Sequence, residues 1–356
     1  MKITFRTDAS NQIGTGHFMR CLTLADEMKK QGAHIRFISR NLPLHLIEML
    51  NAKGMEYISL ITDASQEPID ELAHSSWLGT SQTQDAQATL QALADQTWDW
   101  IIVDHYALDE RWEKSVRANC KKLVVIDDLA DRKHDCDVLL DQNFYADMQT
   151  RYINKVPEHC QLLLGPRYAL LREEFRILRN MVKVRTGEVK KILVFFGGVD
   201  ADNCTSLALQ ALAKLNIKLQ VDVVIGSQHP NRKRIQQDCI TYGFTCHVQT
   251  KRMAELMAEA DLAIGAGGST SWERCCLGLP ALLVAVAGNQ IDIAKALDSI
   301  GACYYLGEKD VLSSGSIQYS INELLVASDH VLSISEQAFS LVDGLGKNRV
   351  SEVLGF

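Results

Sequence analysis

Proline is scarce, with six in 356 residues, and no stretch is biased enough to read as disordered or low-complexity. Long apolar runs are missing too. The longest, such as LGLPALLVAVAG at 277–288, falls far short of the ~20 residues a transmembrane helix needs. The opening MKITFRTDAS lacks the apolar segment and small-residue cleavage site of a secretory signal, so a cytoplasmic protein is expected. A basic excess is absent as well: the net charge is −7, which argues against general affinity for nucleic acid or an anionic membrane. Ten cysteines are present, yet no pair has the two-residue gap of zinc or thioredoxin-type sites. They read as buried reduced thiols, and no metal is expected.

What is present fits two ordinary globular domains, since the length exceeds the usual single core and 47% of residues are hydrophobic. Strand and helix patterns alternate. KITFRTD reads as a strand, HFMRCLTLADEMKKQG as a helix, HIRFISR as a strand, LPLHLIEML as a helix and MEYISL as a strand. GTSQTQDA reads as a polar loop feeding the helix QATLQALADQTW, and DWIIVDHY and KKLVVIDD follow as strands. The alternation restarts at KILVFFGGVDADN and continues through VDVVIGS, FTCHV, DLAIGAGG and PALLVAV. The expected class is therefore α/β, with two Rossmann-like domains whose parallel sheets face a cleft. Their expected extents are 1–170 and 190–356, with 171–189 as the linker between them.

Glycine-rich turns follow several of these strands. In GAGGSTSWE, Gly267 and Gly268 end a strand and Ser269 or Thr270 caps the next helix, leaving backbone N–H groups suited to a diphosphate. Glu273, one turn on, suits ribose hydroxyls. The loop matches neither the dinucleotide fingerprint nor the lysine-bearing P-loop, which disfavours NAD and ATP. Gly197 and Gly198 in FFGGVDADN repeat the arrangement, with Asp200 and Asp202 as capping residues.

The sharpest stretch is NQIGTGHFMRC. Gly14 and Gly16 permit a tight turn and close approach to a ligand, and His17 lies where a helix begins. A helix N-terminus disfavours protonation, so His17 is placed to act as a general base near pH 7, although capping and phosphate contact suit the position as well. Asp8, ending the first strand, is a candidate to orient that imidazole or to meet a substrate hydroxyl. Asp104, His105 and Tyr106 end another strand, and Asn289 and Gln290 stand at a further strand-to-helix turn. A metal pair from Asp104 and His105 is disfavoured, because adjacent strand residues point to opposite faces.

The set FRTDASNQIGTGHFMRC, IIVDHYAL, GPRYALLREEF, FFGGVD, GAGGSTSWERCCLGLP and GNQ closely resembles the PseG family, in order and from the first strand to about Ala296. Its members are UDP-2,4-diacetamido-2,4,6-trideoxy-β-L-altropyranose hydrolases of pseudaminic acid biosynthesis. The glycine loop alone also fits the related MurG-like glycosyltransferases. The resemblance implies a GT-B-type fold with UDP held mainly by the C-terminal domain, where the loop reading places Gly197, Gly198, Gly267, Gly268, Ser269, Thr270 and Glu273 as its UDP-binding candidates. It implies His17 as the base that activates water against the anomeric carbon with inversion, and Tyr106 and Asn289 as substrate contacts; the reading of the loops adds Asp8, Gly14, Gly16 and Gln290 as substrate-binding candidates. No cofactor is implied, and the partners expected are a UDP-sugar and water. The rival readings are a glycosyltransferase that deprotonates an acceptor hydroxyl and a UDP-sugar binding protein without turnover. By analogy with other GT-B proteins, the last helix is expected to cross back to the first domain.

Overall fold

The computed structural model describes residues 1–10, 12–60, 70–182 and 185–356. They form two compact units. One comprises Met1–Asn143, Asp147–Leu170 and Gly346–Phe356; the other comprises Phe144–Ala146 and Leu171–Leu345.

In the first unit the chain runs β1 (Lys2–Thr7), α1 (Gly16–Lys30), β2 (His34–Ser39), α2 (Leu44–Ala52), β3 (Glu56–Ser59), α3 (Gln82–Leu93), β4 (Trp98–Asp104), α4 (Glu110–Val116), β5 (Cys120–Ile126), β6 (Val138–Asp141) and β7 (Gln161–Leu164). Among the described residues the strands form one parallel sheet in the order β3-β2-β1-β4-β5-β6-β7. Both faces are buried, which is why its strands read as continuous apolar runs. Trp100 and Ile102 of β4 join one core with α1, while Ile101 and Val103 join the other with α3 and α4. The loop expected at GTSQTQDA is shorter than that. Ser81 caps α3 with a reciprocal capping box to Gln84, so the helix starts at Gln82.

The second unit runs α5 (Glu173–Arg179), β8 (Lys191–Phe195), α6 (Cys204–Ala213), β9 (Gln220–Ile225), α7 (Arg232–Tyr242), β10 (Thr245–Val248), α8 (Met253–Glu259), β11 (Leu262–Ala266), α9 (Thr270–Cys276), β12 (Ala281–Ala285), α10 (Ile291–Ser299), β13 (Tyr304–Glu308), α11 (Ser314–Val326) and α12 (Ser328–Leu341). Its parallel sheet has the order β10-β9-β8-β11-β12-β13. Residues 171–189, expected as linker, start inside this unit: α5 buries Phe175 and Arg185 donates to the carbonyls of Met257, Ala260 and Leu277. Positions 183 and 184 of that stretch lie outside the described residues.

The last helix, α13 (Gly346–Val353), belongs to the first unit. Val350 and the following Leu354 enter its core, and the Trp100 indole N–H donates to the Leu354 carbonyl at 3.1 Å.

Candidate functional site

In each sheet the chain winds one way from a central strand and the opposite way from its neighbour. Those switch strands are β1 and β4 in the first unit and β8 and β11 in the second. Open α/β sheets bind ligands beyond the carboxyl ends of such strands. The sequence places its unusual loops there: His17 follows β1, the Asp-His-Tyr run ends β4, and the two glycine loops follow β8 and β11.

In the first unit Thr7 lies opposite Asp104. The turn between β1 and α1 closes through Gly14 N–H on the Ser10 carbonyl at 2.8 Å, with Gly14 at φ +77°, a conformation that side chains with a Cβ rarely adopt. His17 is thereby set in the first turn of α1, 8% exposed. Its Nδ1 lies 2.6 Å from Asp104 Oδ1, and no partner for Nε2 exists among the described residues. Arg20, one turn along the same helix, clamps Asp104 with two bonds, Nε to Oδ2 at 2.6 Å and Nη2 to Oδ1 at 2.7 Å. Its remaining nitrogen donates to Asp128 at 2.9 Å.

Burial alone would raise the Asp104 carboxyl, but Arg20 and His17 outweigh it and hold Asp104 well below the usual carboxylate range. An ionised Asp104 accepts the Nδ1 proton, which leaves the Nε2 lone pair as the proton acceptor. Asp104 therefore takes the orienting role considered for Asp8. Asp8 is 0% exposed and serves the turn: Oδ1 accepts from Arg6 at 2.8 Å and from the backbone N–H of Arg40 at 2.7 Å. Arg6, two residues earlier on the same face of β1, accounts for it. Asp8 is thus buried within the turn, with Oδ1 already engaged by Arg6 and by the Arg40 backbone.

Tyr106 is buried as well. It is 6% exposed, its hydroxyl donates to Asp128, and its ring meets His17 edge-on with centroids 4.5 Å apart. Burial, followed by the Asp128 charge, holds the phenol well above its ordinary value. His105 faces the other way: its Nδ1 accepts from Ala107 N–H, its Nε2 lies 3.2 Å from Asp8, and burial lowers its pKa. Three residues the sequence reading passed over complete the surroundings of His17: Arg20, Asp128 and Trp77. Arg20 was the detectable one, since His17 and Arg20 are three apart on a helix and therefore neighbours.

In the second unit Asp200 caps α6, accepting from the N–H groups of Cys204 and Thr205 at 3.0 and 2.9 Å, whereas Asp202 pairs with Lys309. The loop Gly197–Gly198 is fixed where the Gly198 carbonyl accepts from Gly226 N–H. After β11, Gln290 lies over the glycine loop. A Cβ on Gly267 would come within 3.2 Å of Gln290 Cβ, and Gln290 Oε1 accepts from Val286 N–H. Gln290 is thus a brace of this loop, with exposed Asn289 beside it.

Ser269 takes the N-cap position of α9 without a side-chain cap bond, and Gly267 N–H already donates to Val284. The donors open to a ligand are accordingly the N–H groups of Gly268, Ser269 and Thr270. Glu273 Oε1 stands 3.5 Å from Arg172; burial raises its carboxyl and Arg172 partly offsets that. Arg274 is buried, donating to the Ala266 carbonyl at 2.6 Å, and burial pulls it down to about 10. It anchors the strand end that leads into the glycines. No cluster of metal-ligating side chains occurs among the described residues.

Residues 191–341 match the glycosyltransferase family 28 C-terminal domain. A UDP-2,4-diacetamido-2,4,6-trideoxy-β-L-altropyranose hydrolase of Campylobacter jejuni is 27% identical over 85% of this chain and 97% of its own. An uncharacterized protein of Methanocaldococcus jannaschii is 25% identical over 80% of this chain, which spans only 55% of that relative's length. The crystal structure of Acinetobacter baumannii MurG superposes with a TM-score of 0.68 at 14% identity, covering 99% of both chains. The α/β fold of two Rossmann-like units is therefore of the GT-B type, and the resemblance read from the motifs extends across most of the chain.

Proposed function

We propose that this relative of the Campylobacter hydrolase, built on a GT-B-type fold, hydrolyses a UDP-sugar by attack of water on the anomeric carbon. The carrying observation is the Asp104–His17 pair at the switch point of the first sheet, with Nε2 left to accept a proton. Nε2 takes a proton from water, the oxygen forms the new bond to the anomeric carbon on the face opposite UDP, and UDP departs with inversion. Base catalysis of this kind contributes about 10² to 10⁴ in rate, and positioning and stabilisation of the leaving diphosphate supply the rest. For UDP the reading uses the second unit: the N–H groups at Gly197, Gly198, Gly268, Ser269 and Thr270 for the diphosphate, Glu273 for the ribose. The substrate it favours is the diacetamido trideoxy altropyranose of the Campylobacter relative, and no metal enters any step.

The test is NMR of the purified protein with that UDP-sugar and no acceptor, following UDP and the anomeric signal of the released sugar. Free sugar of inverted first-formed configuration is expected, and His17→Ala is expected to bind UDP-sugar while UDP release falls by roughly 10² or more. Undiminished turnover by His17→Ala would overturn the base assignment. The family 28 domain match favours one alternative, a transferase in which His17 deprotonates an acceptor hydroxyl. Substrate consumed only when an acceptor is supplied would move the protein there.

A further inference from the structure

Beside His17 the first unit carries an aromatic surface that the proposed chemistry does not use. Trp77 lies in a single 3₁₀ turn (Ser75–Leu78), with its ring 5.6 Å from Tyr106 in near-parallel stacking and 6.3 Å from His17, edge-on. His74 closes the group, 4.4 Å from Trp77 and 5.3 Å from Tyr106. Tyr106 is almost wholly covered, so the accessible part of this surface is Trp77 and His74, both half-buried. Of the five tryptophans, Trp98, Trp100, Trp112 and Trp272 are core residues, which makes Trp77 the exception.

We propose that Trp77, held by His74 and Tyr106, is the wall on which the sugar of the UDP-sugar rests beside His17, and that it favours sugars presenting C–H and methyl groups over hydroxyls. The proposal rests on the UDP-sugar reading above. A half-exposed indole stacked on a buried phenol is already ordered, so little conformational freedom is lost when a ligand covers it. The indole stands 6.3 Å from the imidazole, so a sugar held with its anomeric carbon at Nε2 lies within reach of it. A π surface rewards contact with C–H groups and leaves a hydroxyl without its water partners, a penalty that amounts to roughly tenfold or more in discrimination. The 6-deoxy carbon and acetamido methyls of the Campylobacter relative's sugar are groups of that kind.

Tryptophan emission gives the direct test, because one indole is placed to respond. In His17→Ala, which holds the substrate intact, the UDP-linked diacetamido trideoxy sugar is expected to change the emission while UDP alone leaves it unchanged. The double variant His17→Ala/Trp77→Phe is expected to lose that response. Trp77→Ala should raise KM for UDP release roughly tenfold with a smaller change in kcat, Trp77→Phe should do less, and UDP-N-acetylglucosamine, with its 6-hydroxyl, should bind the parent more weakly. Circular dichroism of each variant separates a lost contact from a lost fold. An emission change that survives removal of Trp77, or a Trp77→Ala KM equal to the parent's, would overturn the proposal. If wild type releases no UDP yet Trp77 emission reports the sugar, hydrolysis falls and the wall stands. Normal UDP release without any Trp77 effect sinks the wall alone.

Discussion

Asp104 is bound on two sides, by the imidazole it orients and by the guanidinium that keeps it ionised, so its replacement tests both functions at once. Asp104→Asn allows the wrong imidazole tautomer and is expected to lower kcat by about 10² to 10⁴ while UDP-sugar binding persists. Because Arg20 retains Asp128, the stability loss should sit at the low end of the ~3–5 kcal/mol typical of a broken buried pair. Steady-state kinetics and urea titration check the two parts. A second residue gives the pH dependence. Burial opposes the charge on His134, but Glu113 at 2.7 Å and nearby Asp127 raise it to about 9. Its native pKa exceeds the unfolded value near 6.5, so the stability it adds is complete below about 6.5 and disappears as pH rises toward 9. Asp141, pushed up to about 8 by burial and by Asp128, loses stability in the same direction over about pH 4 to 8. These two groups make the urea midpoint fall as pH rises, against the opposite contribution of His105, whose burial lowers its pKa, and His134→Gln should remove the part between about 6.5 and 9. A midpoint in that variant that still falls as steeply above pH 7 would contradict the assignment.

At the scale of elements, the apolar runs and glycine turns of the sequence were enough to read most strands, most helices and the loop that bears His17, whereas the four-residue strands β6 and β7 were too short to stand out and went unread. The partners of His17 were not legible, because Asp104 stands 87 positions away and meets it through the β1–β4 register. The pairing of Asp8 was hidden for a related reason: strand-end carboxylates look free in a sequence, and only the spacing of Arg6 and Asp8 hints at an internal pair. Trp77 sits amid polar residues with no periodicity around it, so it gave no signal. One element boundary is open to a direct check. Ser81→Ala removes the capping box of α3 and should destabilise the first unit by about 1 kcal/mol, seen as a lower urea midpoint at unchanged m.

For the molecule as a whole, the repeated strand-helix pattern made two Rossmann-like units legible, whereas their boundaries follow contacts that no local pattern encodes. The tail is the clearest case. Lys347 lies 3.4 Å from Glu27, Asn348 donates to Glu27 at 3.0 Å, and Val350 and Leu354 complete the core under α1. Truncation after Leu345 should thus lower the melting temperature of the first unit and deprotect α1 amides in hydrogen exchange, with the second sheet unaffected. Equal loss in both units would argue against this division. The same feature orders events during synthesis. Most domains fold as they emerge, the amino-terminal one first. Here the stretch 171–345 is finished while the first unit still lacks its closing helix, so on the ribosome the later unit can reach its native state before the earlier one does.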